Sequence, residues 1–185
     1  ALPIFMHHIH LYGGGNKQAA INEVITRFET IYKSISSIGY KIDEDDVLVY
    51  TLRVIKNTLT DINTSEFINK QLSTKVNGVA FVIEFSRALA VSFGHLKVFF
   101  GDHERENNDI HSLVTLGGIS VALPFILKAY RFGLEVQEIG SLCRALESLV
   151  LRHRLIGTRA DITTRINPVF VKFTDKNIQP IIDHI

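Results

Sequence analysis

From Lys17 to Ile38 the apolar residues Ile21, Val24, Ile25, Phe28, Ile31, Tyr32 and Ile35 recur at steps of three and four, with Asn22, Glu23, Arg27, Glu29 and Lys33 between them. That period matches the 3.6 residues per turn of a helix and excludes a half-buried strand, which alternates every second residue. The same period continues along most of the chain, and strict alternation is rare. The pattern predicts an all-α fold, an irregular multi-helix bundle of six to eight helices in a single domain over residues 1–185. With 185 residues, 46% of them hydrophobic, such a domain buries roughly 70% of the surface its unfolded chain exposes. The opening Ala1-Leu2-Pro3-Ile4 has neither an initiator Met nor a basic stretch ahead of an apolar run, so the chain reads as a fragment of a larger multidomain protein.

Local stop and start signals place the elements. Gly39 ends the first long helix, and Asp43 with Glu44, Asp45 and Asp46 puts acids at the positive end of the next. Asn63-Thr64-Ser65 caps a short helix through Leu72. Asn77-Gly78 is read as a break before a helix from Val79 to Phe100, and Gly101 to Asp109 as a charged loop. Ser112 to Leu127 carries no charge and predicts a buried central helix. It is too short to span a membrane, which takes about 20 apolar residues. Gly133 breaks the chain before a helix from Val136 to Ile156. Asn167-Pro168 is read as a breaker, with Asp175 opening a short last helix.

Most chemical motifs fail on spacing. Of His7, His8 and His10, the imidazoles two apart would share one side of an extended segment, but no nearby Cys, Asp or Glu completes a metal set. Cys143 is the only cysteine, which excludes an internal disulfide and a multi-cysteine zinc site and fits a reducing, cytoplasmic setting. Gly13-Gly14-Gly15 lacks the Lys-Ser/Thr of a phosphate loop and reads as a hinge. Asp102-His103, Asn107-Asn108 and His111 bring an HNH nuclease to mind, yet the segment is too short to supply both a hairpin and a helix. No catalytic residue, metal site or cofactor is assigned.

The informative stretch is Glu147 to Asp161. On a helix, Ile139, Leu142, Leu146, Leu149, Val150 and His153 share one face, with Leu151 and Leu155 opposite, so the helix is expected to be buried on two sides. Arg154 lies nearly in line with Glu147, and Arg152 on the other flank, so these cations mark the seams. His153 reads as a hydrogen-bonded core histidine. Net charge is only +1 (20 Lys and Arg against 19 Asp and Glu), so any nucleic-acid contact must be local. Arg152, Arg159 and Arg165 are the candidates for a DNA backbone. The alternative pairs the arginines of this region, Arg144 among them, with Glu147, Asp161 and helix C-terminal carbonyls.

Glu147-Ser148, then Arg152-His153 and Gly157, together with Leu116-Gly117-Gly118, Ala122-Leu123-Pro124-Phe125 and Lys128-Ala129-Tyr130, resemble the helical region of the GmrSD-type modification-dependent restriction endonucleases. Those proteins join a ParB/sulfiredoxin-like nuclease domain to an HNH domain, and the likeness runs from about Gly39 to Phe173. In this pattern Glu147, Ser148, His153, Arg154 and Gly157 form the structural motif. The resemblance implies a part in cleaving modified foreign DNA, as in phage defence. Neither an Asp-Gly-Gln-Gln-Arg motif nor a complete HNH motif is present, so the expected role is a non-catalytic connector or DNA-facing module whose partners are the nuclease domains of its parent and DNA, not a membrane. The alternative expectation is a structural or self-associating bundle without nucleic-acid contact.

Overall fold

The computed structural model of the chain describes residues 2–156 and 161–185, and for Tyr40, Lys75 and Val76 the backbone alone. The described residues form ten helices and no strand: α1 Leu2–Tyr12, α2 Lys17–Ile38, α3 Glu44–Lys56, α4 Thr64–Leu72, α5 Lys75–Val98, α6 Asn108–Leu116, α7 Leu123–Phe132, α8 Val136–Ile156, α9 Ile162–Lys172 and α10 Gln179–His184. The all-α class is as expected, with more helices than six to eight. By contact the chain divides into two compact units, residues 1–49 with 62–97, and residues 50–61 with 98–185. No linker composition announces this subdivision in the sequence.

In the first unit α1 lies against α2, reversed by a short 3-10 turn at Gly14–Asn16. The histidine-bearing segment is thus a helix and not an extended strand, and the glycine run is an ordered turn, not a hinge. Phe5 and Ile9 of α1 are buried, with the Phe5 ring edge-on to Phe28 (6.3 Å) and Phe85 (6.1 Å). Full burial of a side chain of this size contributes roughly 2–3 kcal/mol. His8 is buried too, packed on Gly78 of α5, where any Cβ would collide with its ring. That close approach explains why Asn77-Gly78 does not break the chain: the glycine serves packing, and α5 runs straight through it. The Arg27 guanidinium on α2 donates to the Ile83 carbonyl (2.5 Å) and Ser86 Oγ (2.9 Å), and pairs with Glu23.

Beyond Val98, α5 continues through a π-type turn, Phe99–His103, and a last helical turn, Glu104–Glu106. The expected charged loop is therefore helical, because Phe99 and Phe100 are buried and hold the backbone in register. One helix, Asn77–Glu106, is long and apolar enough by composition to cross a membrane. Its buried stripe is Val82, Phe85, Leu89, Phe93 and Leu96, while Glu84, Arg87, Val91 and Val98 are exposed.

In the second unit the expected helix over Ser112–Leu127 is split. Gly117 (φ +67°) and Gly118 (φ +59°) are left-handed and end α6, and Pro124 sits in the first turn of α7, where its missing N–H costs nothing. Asn107 caps α6, its Oδ1 accepting from the N–H groups of Asp109 (3.0 Å) and Ile110 (3.2 Å). The capping amide rests on Gly140 of α8. Leu123 to Ala129 are all buried, Lys128 included at 3% exposure.

The Lys128 ammonium donates to Phe170 O (2.6 Å), Phe173 O (2.9 Å) and Asn57 Oδ1, and lies 3.9 Å from the centre of the Phe170 ring. It satisfies the end of α9 and holds Asn57, whose φ of +53° ends α3. The Asn167-Pro168 pair lies inside α9 and does not end it. Asn167 Oδ1 accepts from Leu59 N (2.7 Å) and Thr58 Oγ1 (3.2 Å), so tertiary bonds outweigh the loss of one helical hydrogen bond.

Candidate functional site

α8 is helical over Val136–Ile156, as its periodicity predicts. Its first face is buried through Ile139, Leu142, Leu146 and Val150. The second face is not: Leu155 is 84% exposed and Leu151 is exposed as well, and at the end of the helix Ile156, on the Leu149 side, is exposed too. The expectation of burial on both sides therefore fails over the last turns. The arginines do not lie in seams between two packed faces there; Arg152 and Arg154 are exposed.

Each arginine has a distinct environment. Arg144 forms a bidentate pair with Asp109 of α6 (Nε–Oδ1 3.1 Å, NH2–Oδ2 2.8 Å), not with Glu147 or Asp161. Arg154 donates to the carbonyls of Leu116 (2.9 Å) and Gly117 (2.5 Å), closing the C-terminus of α6. A Cβ on Gly118 would collide with that guanidinium. Arg152 donates to the main-chain oxygen of Ile185. Arg165 is exposed on α9, and its side chain has no hydrogen-bond or ion-pair partner among the described residues. Arg159 and Gly157 lie outside the described residues.

Two clefts flank His153, which is half-buried and lines both. The larger, about 390 Å³, has Arg152, His153, Arg165 and His184 around an apolar floor that includes Leu149 and Ile166, and no acidic residue lines it. The smaller, about 310 Å³, is lined by Arg53, Ser120, His153, Arg154 and Thr163, again without an acid. Arg152 and Arg165, 13 positions apart in sequence, thus line one opening. Arg53 joins the neighbouring cleft, a placement that no local motif signals.

The remaining motif residues hold the scaffold. Ser148 Oγ bonds back to the Arg144 carbonyl (3.2 Å). Asp161 caps α9 through Thr163 N (2.9 Å) and Thr164 N (3.3 Å), and its carboxyl is held below the usual range, chiefly by the Thr164 hydroxyl (2.6 Å) and then by Thr163 N–H. Burial, then the Asp109 and Glu147 carboxylates, push the Cys143 thiol far above its ordinary value, so it is no nucleophile. His103 Nδ1 shares a hydrogen with the Tyr130 hydroxyl (2.8 Å), and with Asn107 acting as a cap the HNH-like residues are structural. Among the described residues no cluster of His, Cys, Asp and Glu is suited to a metal. Compared with models of protein families, with curated proteins and with solved structures, the chain matches none significantly.

Proposed function

We propose that this chain is a non-catalytic helical module of a modification-dependent restriction nuclease of the GmrSD type, acting in the cytoplasm and meeting the DNA backbone through the cleft of Arg152 and Arg165. The observation that carries the DNA contact is the composition of that cleft: two arginines and two histidines, no Asp or Glu among the described residues, Arg152 held by the Ile185 main-chain oxygen, and the Arg165 side chain without a partner among the described residues. An arginine left unpaired at an opening presents its planar fork to phosphate oxygens. The role of positioning nuclease domains supplied elsewhere in a parent protein rests on the sequence resemblance alone.

The test is anisotropy of a labelled duplex titrated with the full chain at several salt concentrations. Arg152→Ala with Arg165→Ala is expected to weaken binding and to reduce the slope of log K against log salt by about 2. An unchanged slope removes the DNA contact.

The second reading, a self-associating bundle, is favoured by the exposed Leu151, Leu155 and Ile156. Leu151 and Leu155, one turn apart, leave apolar side chains uncovered among the described residues, and apolar surface of that kind is available for contact. Sedimentation of the wild type against Leu155→Lys decides it: identical monomers across concentration count against association.

A further inference from the structure

The smaller cleft is built differently from the larger. Arg53, on α3, has a side chain only 13% exposed, and its Nε–H is buried with no hydrogen-bond partner among the described residues. Its one ion pair is to Asp61, which is fully solvated and touches a terminal nitrogen at 3.2 Å, a pairing of the kind that contributes little. The guanidinium lines the cleft with its charge offset, among the described residues, only by that solvated carboxylate, and a mostly desolvated cation favours an anion beside it. Among the described residues Arg154 spends only two of its five N–H donors, on the α6 carbonyls. Ser120 and Thr163 bring hydroxyls to the same space, His153 forms its border, and no carboxylate lines it. The N-terminal N–H groups of Thr163 and Thr164 are already taken by Asp161, so recognition here falls to side chains.

We propose that this cleft binds a single phosphoryl group, with Arg53 and Arg154 supplying charge and Ser120 and Thr163 hydrogen bonds. The site uses residues distinct from the Arg152–Arg165 pair and stands whether or not that pair meets DNA. A volume of about 310 Å³ is at the lower end for small-ligand pockets, which suits a phosphate or a phosphate-bearing terminus and not a large ligand. A free phosphate, a nucleotide phosphate and the phosphorylated end of a nucleic acid share that chemistry.

The experiment is a calorimetric and ³¹P NMR titration of the full chain with inorganic phosphate at constant ionic strength, chloride being the balancing anion. Saturable binding is expected, weakened more than about tenfold by Arg53→Met and retained in Arg152→Ala/Arg165→Ala. Phosphate that behaves like chloride, or an Arg53→Met protein that folds and binds like wild type, overturns the site. Should Arg53→Met fail to fold, Ser120→Ala/Thr163→Val decides, and unchanged affinity there overturns it equally. Parallel titrations with adenosine monophosphate, and with an oligonucleotide carrying or lacking a 5′-phosphate, identify the source. Loss of DNA binding in the Arg152/Arg165 variant with phosphate binding intact separates this site from the larger cleft.

Discussion

Replacing Gly140 with alanine is expected to change sign with its background. In a helix interior the exchange ordinarily stabilises by about 1 kcal/mol. At Gly140 the new Cβ would lie 2.5 Å from Asn107 Nδ2, 2.7 Å from Oδ1 and 2.9 Å from Cγ, so the buried amide has to leave. Its departure strips the cap from Asp109 N and Ile110 N. Losing a cap costs about 1–2 kcal/mol, and a buried N–H left without an acceptor about 1–3 kcal/mol. The loss outweighs the helical gain, and Gly140→Ala is expected to destabilise by about 1–2 kcal/mol. In an Asn107→Ala background the obstructing atoms are gone and the cap already lost, so the same exchange should stabilise by about 0.5–1 kcal/mol. The coupling is therefore about 2 kcal/mol, well beyond the few tenths seen between independent sites. Urea denaturation of the four proteins, with midpoints compared at constant m, measures it. A Gly140→Ala protein more stable than wild type, or a coupling below about 0.5 kcal/mol, refutes the account of Asn107 and Gly140 as one interlocked pair.

Lys128→Met should cost about 3 kcal/mol or more at pH 7, because it leaves Phe170 O, Phe173 O and Asn57 Oδ1 without their donor. Burial, then the Arg131 charge, pull the Lys128 ammonium down to about 8 against about 10.4 in an unfolded chain. Between those values the unfolded state binds the extra proton, so wild-type stability relative to Lys128→Met rises with pH by up to about 3 kcal/mol; a flat difference between pH 7.5 and 10 refutes the assignment. Cys143, buried and with its thiol pushed up, should react with a thiol reagent only as fast as the second unit opens, and labelling in native buffer at the rate of a free thiol contradicts its burial. Gly118→Ala meets both a positive φ and the Arg154 guanidinium, so thermal unfolding should show a loss of at least about 1 kcal/mol. An unchanged melting temperature would mean that Arg154 does not close α6.

What could be read from the chain beforehand was whatever rests on neighbours in sequence. The ends of α2 and α8 follow from periodicity bounded by Gly39 and Gly133, and Asn63 caps α4 through Glu66 N as its residue type suggests. What escaped rests on distant atoms. Gly78 looks like a breaker until His8 is set against it, and Pro168 looks like one until Asn167 is seen bonded to Leu59 N, 108 positions away. The basic cluster at the end of α8 was visible, but the division of labour within it was not. Arg144 finds Asp109 35 positions upstream, and Arg154 finds the Leu116 carbonyl 38 upstream. No pattern in sequence links Arg53, on α3, to Arg154.

The partners of Lys128 are amide oxygens, two from peptide groups and one from an asparagine. None of them takes up a proton as the medium turns acid. Once Lys128 carries its proton, below about 8, the joint at the end of α9 has nothing further to titrate, and a chain losing its surface ion pairs at lower pH would still keep that internal fastening until the surrounding packing gave way.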